Sequence, residues 1–242
     1  MRSRVLFGII ALVFFATASR ATTLTIGSAD TLNCYPFTCN DSQTSTGQSA
    51  EYQQVYDSSA FSGITAFNTL TFYDTYTASL GLNAGPIIPG TYAISFFYTA
   101  ATPGNLDPTL APNEGTSIGT FSSLQIDQPL TFTDSISFAG NTLSYDPTMG
   151  NLLMDVIVTD QENLPNDGVS NGYLDTDSTG ANTGRAYDVS NSGNGADTFG
   201  LVTGFTAVPE PSSLLLLGTG LLGLGGLLLR RRGVTPVSVQ AR

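Results

Sequence analysis

Carboxylates are the only ionisable groups that this 242-residue chain offers in number. Between Thr22 and Val208 stand 18 Asp and Glu residues against a single basic one, Arg185, and the whole chain has no Lys, no His and no Trp. Without His there is no Ser-His-Asp or Cys-His catalysis and no His-ligated metal centre. A body this acidic does not bind nucleic acid, whose affinity comes from Lys and Arg neutralising phosphates.

Two constellations carry candidate chemistry. Cys34 and Cys39 are the only cysteines, and in an exported protein two thiols this close form a disulfide around a tight Pro-containing loop. So small a loop restrains the unfolded chain only modestly, by about 2 kcal/mol. A redox role is disfavoured, because the spacing is not C-x-x-C and no cation is near to lower a thiol pKa. The second is Asp175-Thr176-Asp177-Ser178-Thr179-Gly180, the opening half of a calcium loop, with oxygens at alternate positions and a Gly for the sharp turn. The second half is missing, since Ala186 stands where the bidentate Glu belongs and Asp188 substitutes only with another loop geometry. The expectation is no cofactor, with calcium at Asp175, Asp177 and Thr179 as the one candidate and a solvated loop as its rival. Glycoside hydrolysis needs two carboxylates across a cleft, and the scattered acids give no local signature of one, so the chain is not expected to be an enzyme.

The elements that must position these residues are strands. Tyr92, Ile94, Phe96 and Tyr98 share one face of an alternating run. Pro129 to Phe138 repeats the pattern, with Leu130, Phe132, Ile136 and Phe138 inward. Further strands are predicted at 23–26, 51–56, 64–73, 142–145, 152–159, 185–189 and 198–206. No helical pattern longer than three turns precedes Leu214. Short strands separated by Gly, Pro, Asn and Asp clusters predict an all-β domain over residues 22–207, an antiparallel β-sandwich of jelly-roll type, with a closed barrel as the alternative.

The two ends read as addresses. Residues 1–21 form a secretory signal, with Arg2 and Arg4 before the apolar run Val5 to Phe15 and cleavage after Ala18 or Ala21. At the other end Leu214 to Leu229 is an apolar and small-residue run closed by Arg230, Arg231 and Arg232. Its 16 residues make about 24 Å of helix, enough to span a membrane when arginines snorkel and the bilayer thins. The arginines stop the segment on the cytoplasmic side, which leaves the body outside and residues 233–242 as a cytoplasmic tail.

Val208-Pro209-Glu210-Pro211, a Leu/Gly-rich helix and an arginine cluster, in that order, resemble the PEP-CTERM sorting signal of Gram-negative bacteria, here over residues 208–232. The same tail also bears the name of an ice-binding protein's C-terminal domain, but the body has no Thr-x-Thr repeat array to support ice binding. The resemblance implies an exosortase as partner, a protease that recognises Pro-Glu-Pro and removes the tail. It implies a precursor in the inner membrane, then export to the cell surface or an exopolysaccharide-rich matrix. The motif also has a physical logic, because two prolines keep the chain extended where a protease must grip it. Within the body, Tyr52-Gln53-Gln54-Val55-Tyr56 and Tyr145-Asp146-Pro147-Thr148-Met149-Gly150-Asn151-Leu152-Leu153-Met154-Asp155-Val156 resemble a group of PEP-CTERM body domains with no established activity.

The leading functional expectation is an exported, exosortase-processed surface or matrix protein of structural or adhesive role. The alternative is a carbohydrate-binding module for secreted polysaccharide, motivated by the sandwich and the many Tyr. A secreted carboxylate hydrolase comes third.

Overall fold

Alternating apolar and polar residues are laid down as antiparallel strands in a computed structural model that describes residues 21–39, 50–62, 64–82, 85–161, 172–189 and 193–208, together with residue 220. In chain order the strands are β1 (Thr23–Ile26), β2 (Thr31–Asn33), β3 (Ala50–Tyr56), β4 (Ala66–Tyr73), β5 (Gly90–Thr99), β6 (Ser117–Ile126), β7 (Ser135–Ser144), β8 (Asn151–Thr159), β9 (Leu174–Asp177), β10 (Thr183–Val189), β11 (Gly193–Asp197), β12 (Gly200–Leu201) and β13 (Thr203–Ala207). A single α-helical turn, α1 (Thr75–Ser79), follows β4. The strands order as β11-β10-β3-β8-β5-β6 in a large sheet, β1-β13-β4-β7 in a second and β12-β9-β2 in a small third. Every ladder is antiparallel, and no sheet closes on itself among the described residues, so the domain is an all-β sandwich and not a barrel.

The two larger sheets meet across an aromatic core. Phe96 of β5 packs edge-on against Phe67 of β4 with ring centres 5.2 Å apart, and Tyr56 of β3 meets Phe205 of β13 at 5.0 Å. Such pairs add about 1 kcal/mol each beyond the area they bury. Strand β8 lies at the centre of the large sheet and is buried on both faces. That explains its near-continuous apolar run, with Leu152, Met154, Val156 and Val158 toward the core and Leu153 beneath a second, smaller cluster with Val55, Leu106, Leu110 and Ala186.

Most strands form where periodicity predicts them, and the exceptions have physical causes. The strand expected to begin at Pro129 begins at Ser135, because Pro129 lacks an N–H and Asp134 turns the chain at φ +67°. Leu130, expected inward, makes only an isolated bridge with Ile87 and is exposed. Strand β7 then runs on to Ser144 and absorbs most of the separate strand expected at 142–145. At Gly140 a Cβ would come within 2.6 Å of the Phe121 ring, so only glycine lets β6 and β7 approach here. The turn before β8 closes on itself: the Asp146 carboxylate accepts from the Thr148 N–H (2.9 Å), and the Tyr145 hydroxyl donates to the Gly150 carbonyl (2.7 Å).

Buried side chains also bond across the sheets. The Gln54 amide donates to the Leu201 carbonyl (2.8 Å) and accepts from the Leu201 N–H (2.7 Å), imitating a ladder pair between β3 and β12. The Tyr56 hydroxyl bonds Thr203 Oγ1 at 2.9 Å. Among the described residues no helix is long and apolar enough to cross a membrane. The expected signal, spanning helix and cytoplasmic tail lie outside the described residues, apart from residues 21 and 220. Replacing Gln54→Leu removes the acceptor of the Leu201 N–H and of the buried Tyr52 hydroxyl, while the Leu201 carbonyl keeps the Thr203 hydroxyl, and is expected to cost about 3 kcal/mol, read as a lower midpoint in denaturant unfolding of the full chain.

Candidate functional site

Strand register brings together acids that are far apart in sequence. On the outer face of the large sheet Gln53 of β3 stands opposite Asp155 of β8, and Asp155 stands opposite Ser95 of β5. Glu51 follows two residues back along β3, and Glu114 reaches the same spot from the segment between the 3-10 turn Ala111–Asn113 and β6. One carboxylate oxygen from each of Glu51, Glu114 and Asp155 lies within 4.8 Å of the other two. Asp155 is buried, Glu51 half-buried and Glu114 exposed.

The donors around this trio are few. Gln53 Nε2 donates to Glu51 Oε1 and to Glu114 Oε1, both at 3.3 Å. Its carbonyl end is fixed by Asn113 Nδ2 at 2.9 Å, and Asn113 is held in turn by the Asp107 backbone. Asp155 Oδ1 has no hydrogen-bond partner. Burial, reinforced by the charges of Glu51 and Glu114, pushes the Asp155 carboxyl up to about 8. Burial also raises Glu51, with Glu114 and Asp188 acting in the same direction. Sequence reading missed this trio because its members sit on three segments; the one signal was an Asp inside the apolar run Leu152 to Val158.

The residues singled out as a calcium loop have other surroundings. Asp175 and Asp177 lie in β9, not in a loop, and both are buried. The Asp175 carboxylate accepts from the N–H groups of Tyr76 and Thr77 and from the hydroxyls of Thr75 and Thr77, so it caps α1 from another strand. Asp177 accepts from the Ser28 N–H at 3.0 Å and from the N–H and hydroxyl of Thr179 at 2.8 and 2.6 Å. Asp177 and Thr179 thus bond to each other, while Asp175 turns to α1.

Cys34 and Cys39 are joined in a disulfide. The loop between them plugs the core, since Phe37 is fully buried against Phe72, Tyr92 and Phe138. Arg185, the lone basic residue among those described, forms a two-pronged pair with Asp197 (2.8 and 2.9 Å) and lies over Tyr187, Phe199 and Tyr35. Of the sorting residues, Val208 donates its N–H to the Ala66 carbonyl at 3.1 Å, while Pro209, Glu210, Pro211, Arg230, Arg231 and Arg232 lie outside the described residues.

Residues 207–232 match the family model of the PEP-CTERM protein-sorting motif. The motif implies an exosortase-sorted extracellular protein that passes through a membrane-anchored precursor to the cell surface. No curated protein and no solved structure matches the chain.

A carboxyl whose pKa is raised in the fold stabilises most below its unfolded pKa, and that contribution is lost as pH rises through the folded value. For Asp155 the window runs from about 4, the ordinary Asp value, up to about 8. Asp155→Asn, which keeps the shape without the charge, is expected to flatten the fall in melting temperature across that window when metal is chelated. At pH 8 it should stabilise the chain by about 2 kcal/mol. A pH profile identical to the parent's would show that Asp155 does not carry the effect.

Proposed function

We propose that the sandwich is a structural or adhesive element of the bacterial surface or of an exopolysaccharide matrix, delivered there as an exosortase substrate and acting without catalysis. The observation that carries this reading is the sorting motif at residues 207–232, which begins where the body ends. Strand β13 closes at Ala207, Val208 is still bonded to Ala66 of β4, and Pro209-Glu210-Pro211 follows directly in the sequence. The body supports the reading through its aromatic core, its disulfide-closed plug and its polar bridges between sheets. These features suit a passive domain outside the cell, where disulfides persist.

A second reading, polysaccharide binding, is favoured by one surface feature. Tyr35 and Tyr187 stack at 5.7 Å, both half-buried, with Arg185 and the exposed Phe199 alongside. Aromatic faces of this kind pack against the apolar faces of sugar rings. The adjoining cleft, lined by Tyr35, Pro36, Glu51, Gln161 and Tyr187, has a volume of about 10 Å³, so a glycan would lie across the surface and not enter it. Pull-down with polysaccharide from the host, lost on Phe199→Ala and Tyr187→Ala in chains of unchanged stability, would select this reading over a purely structural one.

The sorting assignment itself is tested in an exosortase-bearing host. Replacing Pro209, Glu210 and Pro211 with Ala leaves the apolar run intact, so insertion is expected to proceed while processing fails. The chain, less its signal, should accumulate in the inner membrane, whereas neutral replacements of Arg230, Arg231 and Arg232 should give misinserted or released chains. A triple-Ala variant trimmed and exported like the parent would make the tail an ordinary anchor.

A further inference from the structure

Acidic residues gather on many protein surfaces, and spacing alone makes no site. At Glu51, Glu114 and Asp155 a second observation points to a ligand. Asp155 is 4% exposed and its buried Oδ1 has no hydrogen-bond partner, while a carboxylate oxygen of the same side chain lies within 4.8 Å of one from Glu51 and one from Glu114. Leaving a buried acceptor unsatisfied costs about 1–3 kcal/mol, more when it is charged. The fold has no cation to spend there, because Arg185 is committed to Asp197. Asp188 stands opposite Glu51 in the β3–β10 ladder and deepens the negative potential.

The spacing suits a hard cation. Calcium takes oxygen ligands at about 2.3–2.6 Å, so two ligands on opposite sides of one ion lie roughly 4.6–5.2 Å apart. Three oxygens all within 4.8 Å of one another fall inside that limit. Gln53, oriented by Asn113, holds the Glu51 and Glu114 carboxylates side by side, and exposed Glu114 leaves the trio open to water for the remaining ligand positions.

We propose that Glu51, Glu114 and Asp155 bind one divalent cation of the calcium class, with water completing its shell, and that the ion pins the segment carrying Glu114 to strands β3 and β8. This site is separate from Asp175, Asp177 and Thr179, and the inference does not depend on what the surface protein adheres to. Sites in extracellular modules work at about 10⁻⁴–10⁻³ M calcium, a range consistent with three carboxylates and an open shell.

The test uses the full chain in detergent, with calcium chloride or chelator as the only variable, and compares the parent with Asp155→Asn and Glu114→Gln. For the parent we expect equilibrium dialysis to find one bound calcium. At a hundredfold excess over Kd its melting temperature should rise by about 5 °C. Both variants should lose at least tenfold in affinity. Glu114 is exposed and Asp155→Asn is expected to stabilise the metal-free chain, so failure to fold does not account for lost binding; each variant's melting temperature in chelator checks this. An unchanged parent melting temperature between calcium and chelator overturns the proposal. Equal calcium effects in the parent and both variants overturn it too.

Discussion

A folded body with one cation has to meet its acids with neutral donors, and that constraint organises most of the polar structure. Arg185 serves Asp197 alone. Asp107 and Asp146 each accept from the N–H and hydroxyl of a Thr two residues on, closing turns in which the carboxylate substitutes for a longer-range partner. Asp30 bonds the N–H and hydroxyl of Ser178, and Asp177 bonds Ser28 and Thr179, so two acids lace the start of the chain to the end of β9. The richness in Thr and Ser that reads as mere polarity in the sequence is the supply of donors that these acids require.

The same constraint explains the capping of α1. Asp74 occupies the position before the helix where an acid ordinarily caps, yet its side chain makes no cap bond. Asp175 takes the helix N–H groups instead and so fastens β9 to α1. The displaced Asp74 is left with an unpartnered buried oxygen, and burial together with Asp175 and Asp134 raises its pKa. Like Asp155, it is an acid that the supply of neutral donors fails to reach, and in both cases the nearest charges are other carboxylates. Asp155 differs in sharing its place with two acids whose oxygens converge on one point.

How much of this was legible depended on whether the information was local. Period-two alternation in β5 and the apolar run of β8 are both local signals, and so is the turn at Asp146-Pro147, whose chemistry is contained in six residues. Strands β6 and β11 lack a clear apolar alternation: β6 is an edge strand that leaves much of itself exposed, with its register shifted against β5, and β11 is Gly193-Asn194-Gly195-Ala196-Asp197. For Asp175 and Asp177 the sequence shows only a spacing that a loop and a strand share, whereas their contacts with α1 and Ser28 are tertiary. The trio was invisible for the opposite reason, because Glu51, Glu114 and Asp155 become neighbours only through the β3–β8 ladder and the chain's return after β5.

The distribution of arginine joins the body to its address. Seven of the eight lie in or beside the two end segments that the sequence marks as addresses, and in a membrane-inserting segment positive charge governs which side is kept. Orientation is sensitive to Lys and Arg near the spanning run, and the nearest one on the body side of Leu214 is Arg185, well upstream and locked in an ion pair. By the rule that positive charge stays inside, a body with so few basic residues offers little to compete with Arg230, Arg231 and Arg232 in orienting the precursor. The cost of that clearance is borne inside the fold, where acids must rely on hydroxyls, backbone N–H groups and, at Asp155, on whatever the surrounding medium supplies. Sorting and body chemistry therefore follow from one feature of composition, the absence of cations between the two addressed ends.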